Sequence, residues 1–590
     1  ENGCKVAFTT RSREVCGMMG DHEPTEVKCL EWNEAWELFK SRVGESTFRR
    51  NPDIVELAAK VAVKCHGLPL ALNVIGETMA SKTMVQEWQH AIDVLTRSAA
   101  EFPHMENKIL LVLKYSYDSL ADENIKSCFL YCALFPEDYE ISKETLIEYW
   151  ICEGFIGEHQ HVKTAVNKGY VILGTLIRAN LLTEAGGPNT AVKMHDVLRE
   201  MALWIASNFG KQKETFVVQS GVGLLKIPKV KDWGAVRRMS LMNNKIEEIT
   251  CGSKCSQLRT LFLQYNNLKN LSGEFIQSMQ KLVVLDLSYN SDFNKLPEQT
   301  SELTSLQYLD LSYTSIEKLP IGFQELKKLT HLDLSFTKKL RSVDGISKLT
   351  SLRILKLLFS NVHGDGSVLT EVQLLEHLQI LSITIDAELG LKQILGDQRL
   401  AACINGLHIY GFEQKPFNIS LLVSMKNLRE LIVDNTHVVE INTNLKYIES
   451  FTNLSTVDIT KCTGIKDLTW LLFAPNLVDL YIQDLEEVEE IINKEKETNL
   501  TGIITPFQKL KVLLFYNLPK LESIYWRPLP FSLLGEIIAV NCPKLKKLPL
   551  NAASVPRLGG FTIDMRPREH ITNIEWENED TKNRFLPLFL

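Results

Sequence analysis

The sequence predicts a multidomain α/β protein in which a mainly helical region precedes a long solenoid of repeats. Three observations lead to this prediction. The chain has 590 residues, more than a single hydrophobic core normally takes up. A leucine motif recurs from about residue 236 onward, and five successive copies of it are spaced by 23 or 24 residues. The region before it lacks that period and instead carries apolar residues at helical spacing.

The charge and the length of the apolar runs indicate which kinds of partner to expect. The chain has 65 basic and 72 acidic residues, a net charge of −7. Proteins that bind nucleic acids usually carry a basic excess, so we expect no nucleic-acid partner. No apolar run reaches the ~18 residues that a membrane-spanning helix needs. We therefore expect no transmembrane segment, and the scattered cysteines suggest no metal site.

The repeat has the pattern L-x-x-L-x-L-x-x-N/C/T, as in Leu258 to Asn266. Its central leucines at 261, 285, 309, 332 and 355 are spaced by 24, 24, 23 and 23 residues. Weaker copies extend the series from Met239 to Phe561, which makes about 14 leucine-rich repeats. Each unit places a short strand on one side and turns its leucines inward, so that stacking makes the core.

A polar residue closes many of the motifs, and its side chain is placed to bond to the backbone of the following turn. These residues are Asn244, Asn266, Asn290, Thr314, Thr337, Cys462 and Cys542. A longer gap, from Leu480 to Leu513, contains charged segments that we interpret as a solvated loop insertion.

Two stripes of residues run along the repeats and predict a partner surface. Aspartates occupy one strand position in three successive repeats, at Asp286, Asp310 and Asp333. Aromatic residues occupy another position in five repeats, at Tyr265, Tyr289, Tyr313, Phe336 and Phe359. Stacked repeats would place an acidic line beside an aromatic line, which suits a protein contact. In the alternative, the aromatic rings only shield one another along the solenoid edge.

The N-terminal region begins with Lys5 to Arg11, which reads as a buried strand whose end would present the Arg11 cation at a ligand-binding sheet edge or simply at the surface. A helix follows Asp53 and ends at Gly67, and Pro69 opens the next helix. Further along, a helix, a hairpin and a helix predict a winged-helix domain. In that domain His195 could donate to an anionic ligand, or could belong to a cluster that caps the following helix with Asp196 as N-cap.

These motifs together resemble the nucleotide-binding region of plant disease-resistance proteins, the NB-ARC leucine-rich-repeat receptors of the coiled-coil subclass. Gly67 to Ala71 reads GLPLA, and Met194-His195-Asp196 reads MHD. The segment from Cys128 to Asp138 resembles one typical of the coiled-coil subclass. The segments at Lys5 to Gly20 and Leu30 to Phe39 resemble the strand and helix that precede these motifs.

The resemblance implies a role for several residues. Arg11 resembles the sensor arginine that reads the nucleotide phosphates, and Pro69 the proline that packs on the base. His195 resembles the histidine that contacts the ADP β-phosphate and holds the off state. Met194, His195 and Asp196 would form the switch motif. The implied function is that of an immune receptor that recognises a pathogen effector or a guarded host protein through its repeats. Exchange of ADP for ATP would release it to oligomerise and trigger localised cell death.

The resemblance also implies a division of the chain. It predicts a remnant of a P-loop NTPase domain at 1–22, a helical domain at 23–105, a winged-helix domain at 106–212, a linker at 213–235 and a leucine-rich-repeat horseshoe at 236–590. The phosphate loop G-x-x-x-x-G-K-[ST] of the family is absent from this sequence. We therefore expect a chain that begins inside the nucleotide-binding domain, holds ADP or ATP poorly by itself, and is not an enzyme.

Two readings of the function stay in competition. In the first, this is the immune switch just described, located in the cytoplasm or peripherally at the plasma membrane, with the repeats also contacting the nucleotide-binding region of the same chain. In the second, it is a leucine-rich-repeat adaptor for protein–protein interaction that does not respond to nucleotide. The adaptor explains the repeats but not the ordered GLPLA and MHD motifs.

Overall fold

The computed structural model describes residues 27–590 apart from 51–52, 98–109, 158–160, 186–189, 251–253, 363–365, 413–415, 440–450, 499–504 and 557–558, together with Thr10, Cys16, Met18, Met19 and Thr25. The chain divides into two compact units. The first comprises 1–287 and 305–308, and the second 288–304 and 309–590. The strand predicted at Lys5 to Arg11 lies outside the described residues except for Thr10.

Helices dominate the beginning of the first unit. They are α1 (Trp32–Val43), α2 (Glu45–Arg50), α3 (Asp53–Val63), α4 (Pro69–Met79), α5 (Val85–Arg97), α6 (Leu111–Asp118), α7 (Glu123–Cys132), α8 (Lys143–Cys152), α9 (Val162–Arg178) and α10 (Asp196–Ala206). The apolar face predicted for α3 is buried, with Ile54, Ala58 and Val61 all inaccessible. Pro69 is the first residue of α4, as predicted, because its fixed φ suits a helix start and its missing N–H has no partner to lose there.

The predicted winged-helix arrangement is present between α8 and α10. Strand β1 (Ile141–Ser142) pairs antiparallel with β3 (Ala191–Lys193), and β3 pairs antiparallel with β2 (Thr183–Ala185), so that the hairpin β2–β3 lies between α9 and α10. Trp150, from α8, and Leu176, from α9, are fully buried in the core beneath the hairpin. The hairpin ends directly before the Met194-His195-Asp196 motif, and this places the motif at the start of α10.

The first repeats belong to the same compact unit as these helices. Their strands are β4 (Phe216–Val218), β5 (Arg238–Ser240), β7 (Thr260–Phe262) and β9 (Val284–Asp286), which pair in parallel in that order. The short strands β6 (Glu248–Ile249) and β8 (Asn270–Leu271) pair with each other, and α11 (Gly273–Gln277) follows. The predicted central residues Met239, Leu261 and Leu285 align across the strands and are fully buried.

The second unit continues the repeat. Its parallel strands are, in order, β10 (Tyr308–Asp310), β11 (His331–Asp333), β12 (Ile354–Leu357), β13 (Ile380–Ile385), β14 (Ile404–Tyr410), β16 (Glu430–Asp434), β18 (Thr456–Thr460), β19 (Asp479–Gln483), β20 (Val512–Tyr516), β21 (Glu536–Val540) and β22 (Thr562–Arg566). The other elements are β15 (Phe417–Asn418), which pairs with β17 (Val438–Val439), and α12 (Gly366–Gln373), α13 (Glu388–Gly396), α14 (Gln398–Cys403), α15 (Lys494–Thr498) and α16 (Glu579–Phe585).

The closing residues of the repeats bond to the backbone as predicted. Asn266 donates to the carbonyls of Leu241 and Leu263, each at 2.9 Å, and its side-chain oxygen accepts from the amide of Ile246. Because Leu241 belongs to the preceding repeat, the side chain ties two repeats together. Thr314 makes only one of these bonds, to the carbonyl of Leu311 at 2.6 Å. Asparagine carries both a donor and an acceptor group, so it satisfies more buried backbone groups than threonine.

The charged insertion after β19 is only in part a solvated loop. Its short helix α15 carries Glu497, whose carboxylate accepts hydrogen bonds from the side chains of Tyr525, Trp526 and Arg527. Lys494 lies 5.0 Å from the centre of the Trp526 ring. The insertion therefore contacts the next repeat through the carboxylate of Glu497. The charged composition of the insertion did not predict this contact.

Candidate functional site

The Met194-His195-Asp196 motif starts α10. Met194 is buried, His195 is the N-cap residue with extended backbone angles, and Asp196 is the first helical residue. The prediction that Asp196 caps the helix was wrong by one residue. The Nδ1 atom of His195 accepts the hydrogen bond from the amide of Val197 at 3.2 Å. Strand β3 ends at Lys193, and this leaves His195 as the residue with extended geometry next to the helix.

Capping determines the tautomer of His195. An Nδ1 atom that accepts a hydrogen bond carries no proton, so a neutral ring has its proton on Nε2. Burial, and secondarily the positive charge of His66, lower the pKa of His195. The ring is therefore neutral near pH 7, and it makes a hydrogen bond to the backbone of His66.

Asp196 and His66 join the winged-helix domain to the helical domain. His66 follows α3, and its Nε2 forms an ion pair with the Oδ2 of Asp196. The rings of His66 and His195 meet edge to face with centroids 5.5 Å apart. His66 has φ of 46° and is followed by Gly67 at 69°. A Cβ on Gly67 would lie 2.3 Å from the carbonyl oxygen of Leu30, so this turn requires glycine.

The positive charge of His66 and the negative charge of Asp196 stabilise each other. Burial alone would lower the pKa of His66, but the hydrogen bond and charge of Asp196 outweigh it, and the pKa is raised. Burial alone would raise the pKa of Asp196, but His66 and then His195 and Arg199 outweigh it, and the pKa is lowered. The shifts thus favour the carboxylate form of Asp196, the cationic form of His66 and the neutral form of His195. We call His66, His195 and Asp196 the histidine latch.

A small cavity of about 20 Å³ lies beside the latch, between α4, α5 and α10. Lys64, His66, Glu137 and Asp196 contribute polar groups to its wall, and Ile75 and Leu95 contribute apolar groups. Lys64 pairs with Glu137 at 2.9 Å. This space holds about one water molecule, which is far less than an adenine ring needs.

Acidic groups surround the latch among the described residues. Glu137 and Asp196 line the cavity beside His66, and the charges of Asp196 and Asp138 act on His195. Pro69 is exposed at the start of α4, and Arg11 lies outside the described residues. The structure therefore brings His195 and Asp196 together, and places Pro69 three residues after His66.

Three possible metal ligands lie close together here. Donor atoms of His66, Asp138 and Asp196 are all within 4.8 Å of one another. Asp138 also pairs with Lys193 at 2.5 Å, and Asp196 pairs with His66. Since each carboxylate already has a cationic neighbour, the charge of the group is balanced without a metal ion.

A second feature of the first unit is the contact of the winged-helix domain with the strands of the first repeats. Glu153, directly after α8, is fully buried at its side chain. Its carboxylate accepts from Arg238 at 3.0 and 3.2 Å, from Arg259 at 3.2 Å and from the hydroxyl of Thr260. The guanidinium of Arg238 also lies 5.3 Å from the centre of the Phe155 ring. We call the Glu153 group the carboxylate clamp.

The predicted acidic line ends up partly inside this contact. Tyr149 of α8 donates its hydroxyl to the carboxylate of Asp286 at 2.5 Å, and Asp286 is 2% exposed. Asp310 is also buried and accepts from the amide of Ser312. Asp333 is half-buried, near Lys356 at 3.7 Å. The expectation of a continuous exposed acidic line was therefore wrong, because aspartate at this position also caps the turn or receives a tyrosine from the winged-helix domain.

The aromatic line forms a stacked ladder. Tyr289, Tyr313, Phe336 and Phe359 stack in sequence with ring centroids 4.1 to 4.7 Å apart. All four, and Tyr265 as well, have φ between 54° and 58°. Each of the four stacked rings packs against the ring of a neighbouring repeat, and Tyr265, Tyr289 and Tyr313 remain 37–39% exposed. The geometry accounts for the ladder as mutual shielding, and its use as a partner surface stays a prediction.

Sequence reasoning missed His66, Asp138 and Glu153. His66 directly precedes the GLPLA motif at a helix end, and this position was the one available signal for it. Asp138 and Glu153 lie far in sequence from their partners, so no local pattern marks them. No described helix is long and apolar enough to cross a membrane.

Family models match most of the described organisation. A leucine-rich-repeat region matches residues 235–565, a disease-resistance winged-helix domain matches 134–202, and an NB-ARC domain matches 1–49. Among solved structures, an internalin from Listeria monocytogenes is similar, with 16% identity over 57% of this chain and 87% of that chain and a TM-score of 0.38.

Curated proteins of Arabidopsis thaliana are similar along the whole chain. The probable disease resistance protein At1g61190 is 66% identical over 99% of this chain and 62% of its own length. The disease resistance protein SUMM2 is 54% identical over all of this chain and 67% of its own length. The probable disease resistance protein At1g61300 is 66% identical over 99% of this chain and 77% of its own length. This chain thus spans about three-fifths to three-quarters of the length of these relatives.

Proposed function

Because the chain belongs to the NB-ARC leucine-rich-repeat family of plant disease-resistance proteins, we propose that it is part of an intracellular immune receptor. In this proposal the repeats recognise a pathogen effector or a guarded host protein. Exchange of ADP for ATP in the full-length protein then releases the receptor to oligomerise and to trigger defence and localised cell death. The receptor acts as a switch and not as a turnover enzyme, in the cytoplasm or at the inner surface of the plasma membrane.

The histidine latch is the observation that supports this proposal best. A switch needs an element with two arrangements, one of which is stabilised by contacts that a ligand can change. His66 belongs to the helical domain, and Asp196 starts a helix of the winged-helix domain, so their ion pair holds two domains in one arrangement. His195 lies beside this pair, and its ring hydrogen-bonds the backbone of His66. A negative charge that binds His195 would also act on the pair.

The same residues support a nucleotide role only for the full-length protein. Around the latch the described residues supply Lys64 and two histidines beside several carboxylates, and the sequence contains no phosphate loop. We therefore expect this chain alone to bind ADP more weakly than micromolar. Calorimetric titration of the chain with ADP tests this expectation, and micromolar affinity would contradict it.

The adaptor alternative predicts a different response to changes in the latch. In the full-length protein expressed in leaves, His195→Ala should cause cell death without a pathogen, measured as ion leakage. His161→Ala is the matched control, since His161 is exposed at the start of α9 and its side chain caps no amide. An adaptor would show no autoactivity with either variant and at most a lower protein level with His195→Ala. That outcome would reject the switch.

A further inference from the structure

The outward positions of the later strands line up in register. In parallel strands, residues at matching positions lie side by side on one face. Glu430, Thr456, Asp479, Val512, Glu536 and Thr562 form one row of neighbours, and Ile432, Asp458, Tyr481, Leu514, Ile538 and Asp564 form the next. We call these two rows, with Asp434 at the adjoining position, the distal strand face.

Acidic side chains dominate the charge of the distal strand face. Glu430, Asp434, Asp458, Asp479, Glu536 and Asp564 all point outward and are half-buried. Lys461 and Lys511 lie at neighbouring strand ends, and Arg566 pairs with Asp564 at 2.6 Å. Six carboxylates thus stand beside the three cations just named. Burial raises the pKa of Asp458, and the charge of Asp434 raises it further.

Burial acts on two further carboxylates of this face. Burial raises the pKa of Asp434 by more than Lys461 and the amide of Asn435 lower it. Burial likewise raises the pKa of Asp479 by more than Lys511 lowers it. A cation brought to these two carboxylates would favour their ionised form against the effect of burial.

Apolar side chains lie between the acidic ones. Tyr481, Leu514 and Ile538 follow one another across β19, β20 and β21, and each is half-buried. Tyr516 lies on the adjoining position of β20 and is 42% exposed. The face is thus an apolar strip with carboxylates beside it, and not a charge cluster alone. A strip of this kind contacts apolar side chains while the carboxylates orient cations next to them.

The chain itself shows what the equivalent positions can bind. In the first unit, Arg238 and Thr260 occupy the first row, and Phe262 and Asp286 occupy the second. There the occupant is α8 with the residues that follow it. The Tyr149 ring lies 4.9 Å from the ring of Phe262, and the carboxylate of Glu153 meets the arginines. The strand face of the early repeats therefore binds aromatic side chains, and its arginines bind a carboxylate of opposite charge.

From these observations we propose that the distal strand face binds a polypeptide segment of a partner protein that carries lysine or arginine beside apolar side chains. The proposal rests on the proposed recognition role of the repeats, and it specifies the chemistry of the partner. It does not depend on the histidine latch. The opposite charge of the partner follows from the excess of acidic over basic side chains on the face, and its apolar groups follow from the strip at Tyr481, Leu514 and Ile538.

The test uses the whole chain and two fluorescein-labelled synthetic peptides followed by fluorescence anisotropy. One peptide combines lysine and leucine separated by serine, and in the other glutamate replaces every lysine. The variant carries Asp434→Asn, Asp458→Asn, Asp479→Asn and Glu536→Gln. The control variant carries Glu325→Gln, Glu376→Gln, Glu486→Gln and Glu522→Gln, which removes as much charge from exposed positions elsewhere in the second unit.

We expect the lysine peptide to bind the unmodified chain, and the distal-face variant to bind it about tenfold more weakly, since several charge contacts are lost together. The control variant should change the affinity by less than about twofold. Leu514→Ala, which changes no charge, should also weaken binding. It keeps the proposal testable if the fourfold variant does not fold.

Three results would overturn the proposal. These are no binding of the lysine peptide, equal binding of the glutamate peptide, or equal weakening by the control variant. Each of them would leave the proposed switch standing, because the His195→Ala experiment reports on the latch. Conversely, if His195→Ala caused no cell death, the proposed switch would fail, but the affinity of the distal strand face for the lysine peptide would stay the same.

Discussion

Glu153→Ala is expected to destabilise the contact between the winged-helix domain and the first repeats more than any exposed substitution in these domains. Glu153 is fully buried at its side chain, and Arg238 is 16% exposed at its own. Alanine removes the carboxylate that accepts from the two arginines and Thr260, and only the backbone carbonyl of residue 153 stays as an acceptor for Arg259. The Arg238 guanidinium would then remain, largely buried, between the rings of Tyr131 and Phe155 without a counter-charge.

The magnitude follows from this geometry. Removing one partner of a buried ion pair typically costs about 3–5 kcal/mol, because the remaining charge is left uncompensated. The partial exposure of Arg259, at 41%, places the expected loss near the lower end of that range, about 3 kcal/mol. Glu153→Gln keeps the shape and one acceptor, so we expect a smaller loss of about 1.5–3 kcal/mol.

Hydrogen exchange of the backbone amides is the suitable assay, since a chain with several domains need not unfold in one step. Protection should fall in α8, β5 and β7 and stay unchanged in the last repeats. Glu123→Ala is the control, because Glu123 is 84% exposed in its pair with Lys126 and should cost at most about 0.5 kcal/mol. Equal protection for Glu153→Ala and Glu123→Ala would refute the assignment of the clamp as a stabilising contact.

Three further predictions concern the repeats and the latch. Asn266→Ala should lower the free energy of unfolding by about 2–4 kcal/mol, because buried backbone groups of two repeats lose their partner, and urea denaturation followed by tryptophan fluorescence measures this. Asp196→Asn should lower the pKa of His66, since it removes the charge of Asp196 and leaves only the charges of Asp138 and Glu137 against burial, and NMR titration of the ring would contradict us if the pKa stayed as high as in the unmodified chain. The two histidines should respond to pH in opposite directions. The pKa of His66 is raised in the folded state, so its stabilising effect is complete below pH ~6.5 and is lost as pH rises through the folded-state pKa. The pKa of His195 is lowered in the folded state, so this residue destabilises the fold as pH falls below ~6.5. Thermal melts of His66→Ala and His195→Ala across this window should therefore diverge in slope.

The repeat part of the fold was predictable because its signal is local and periodic. Leu261 and Leu285 mark strand centres that align across the sheet, and Asn266 makes the backbone bonds that its chemistry suggests. The helices around Pro69 followed from the same kind of reasoning, since apolar spacing and helix-start chemistry are properties of a few neighbouring residues.

Contacts between domains were not predictable in this way. Tyr149 and Asp286 are separated by 137 positions, and nothing near either residue indicates the other. The aspartates therefore looked like an exposed surface when only their period was considered. The end of β3 determines whether His195 or Asp196 caps α10. The Met194-His195-Asp196 motif does not indicate where that strand ends.

The membership of the first strands in the N-terminal unit has a practical consequence for chimeric receptors. A graft that joins foreign repeats at the apparent domain border near residue 235 would separate Glu153 from Arg238 and Arg259, and Tyr149 from Asp286. A junction placed after Tyr308 would transplant only residues beyond this seam. If a graft at residue 235 failed, the cause would then be the loss of these contacts, and not the binding specificity of the donor repeats.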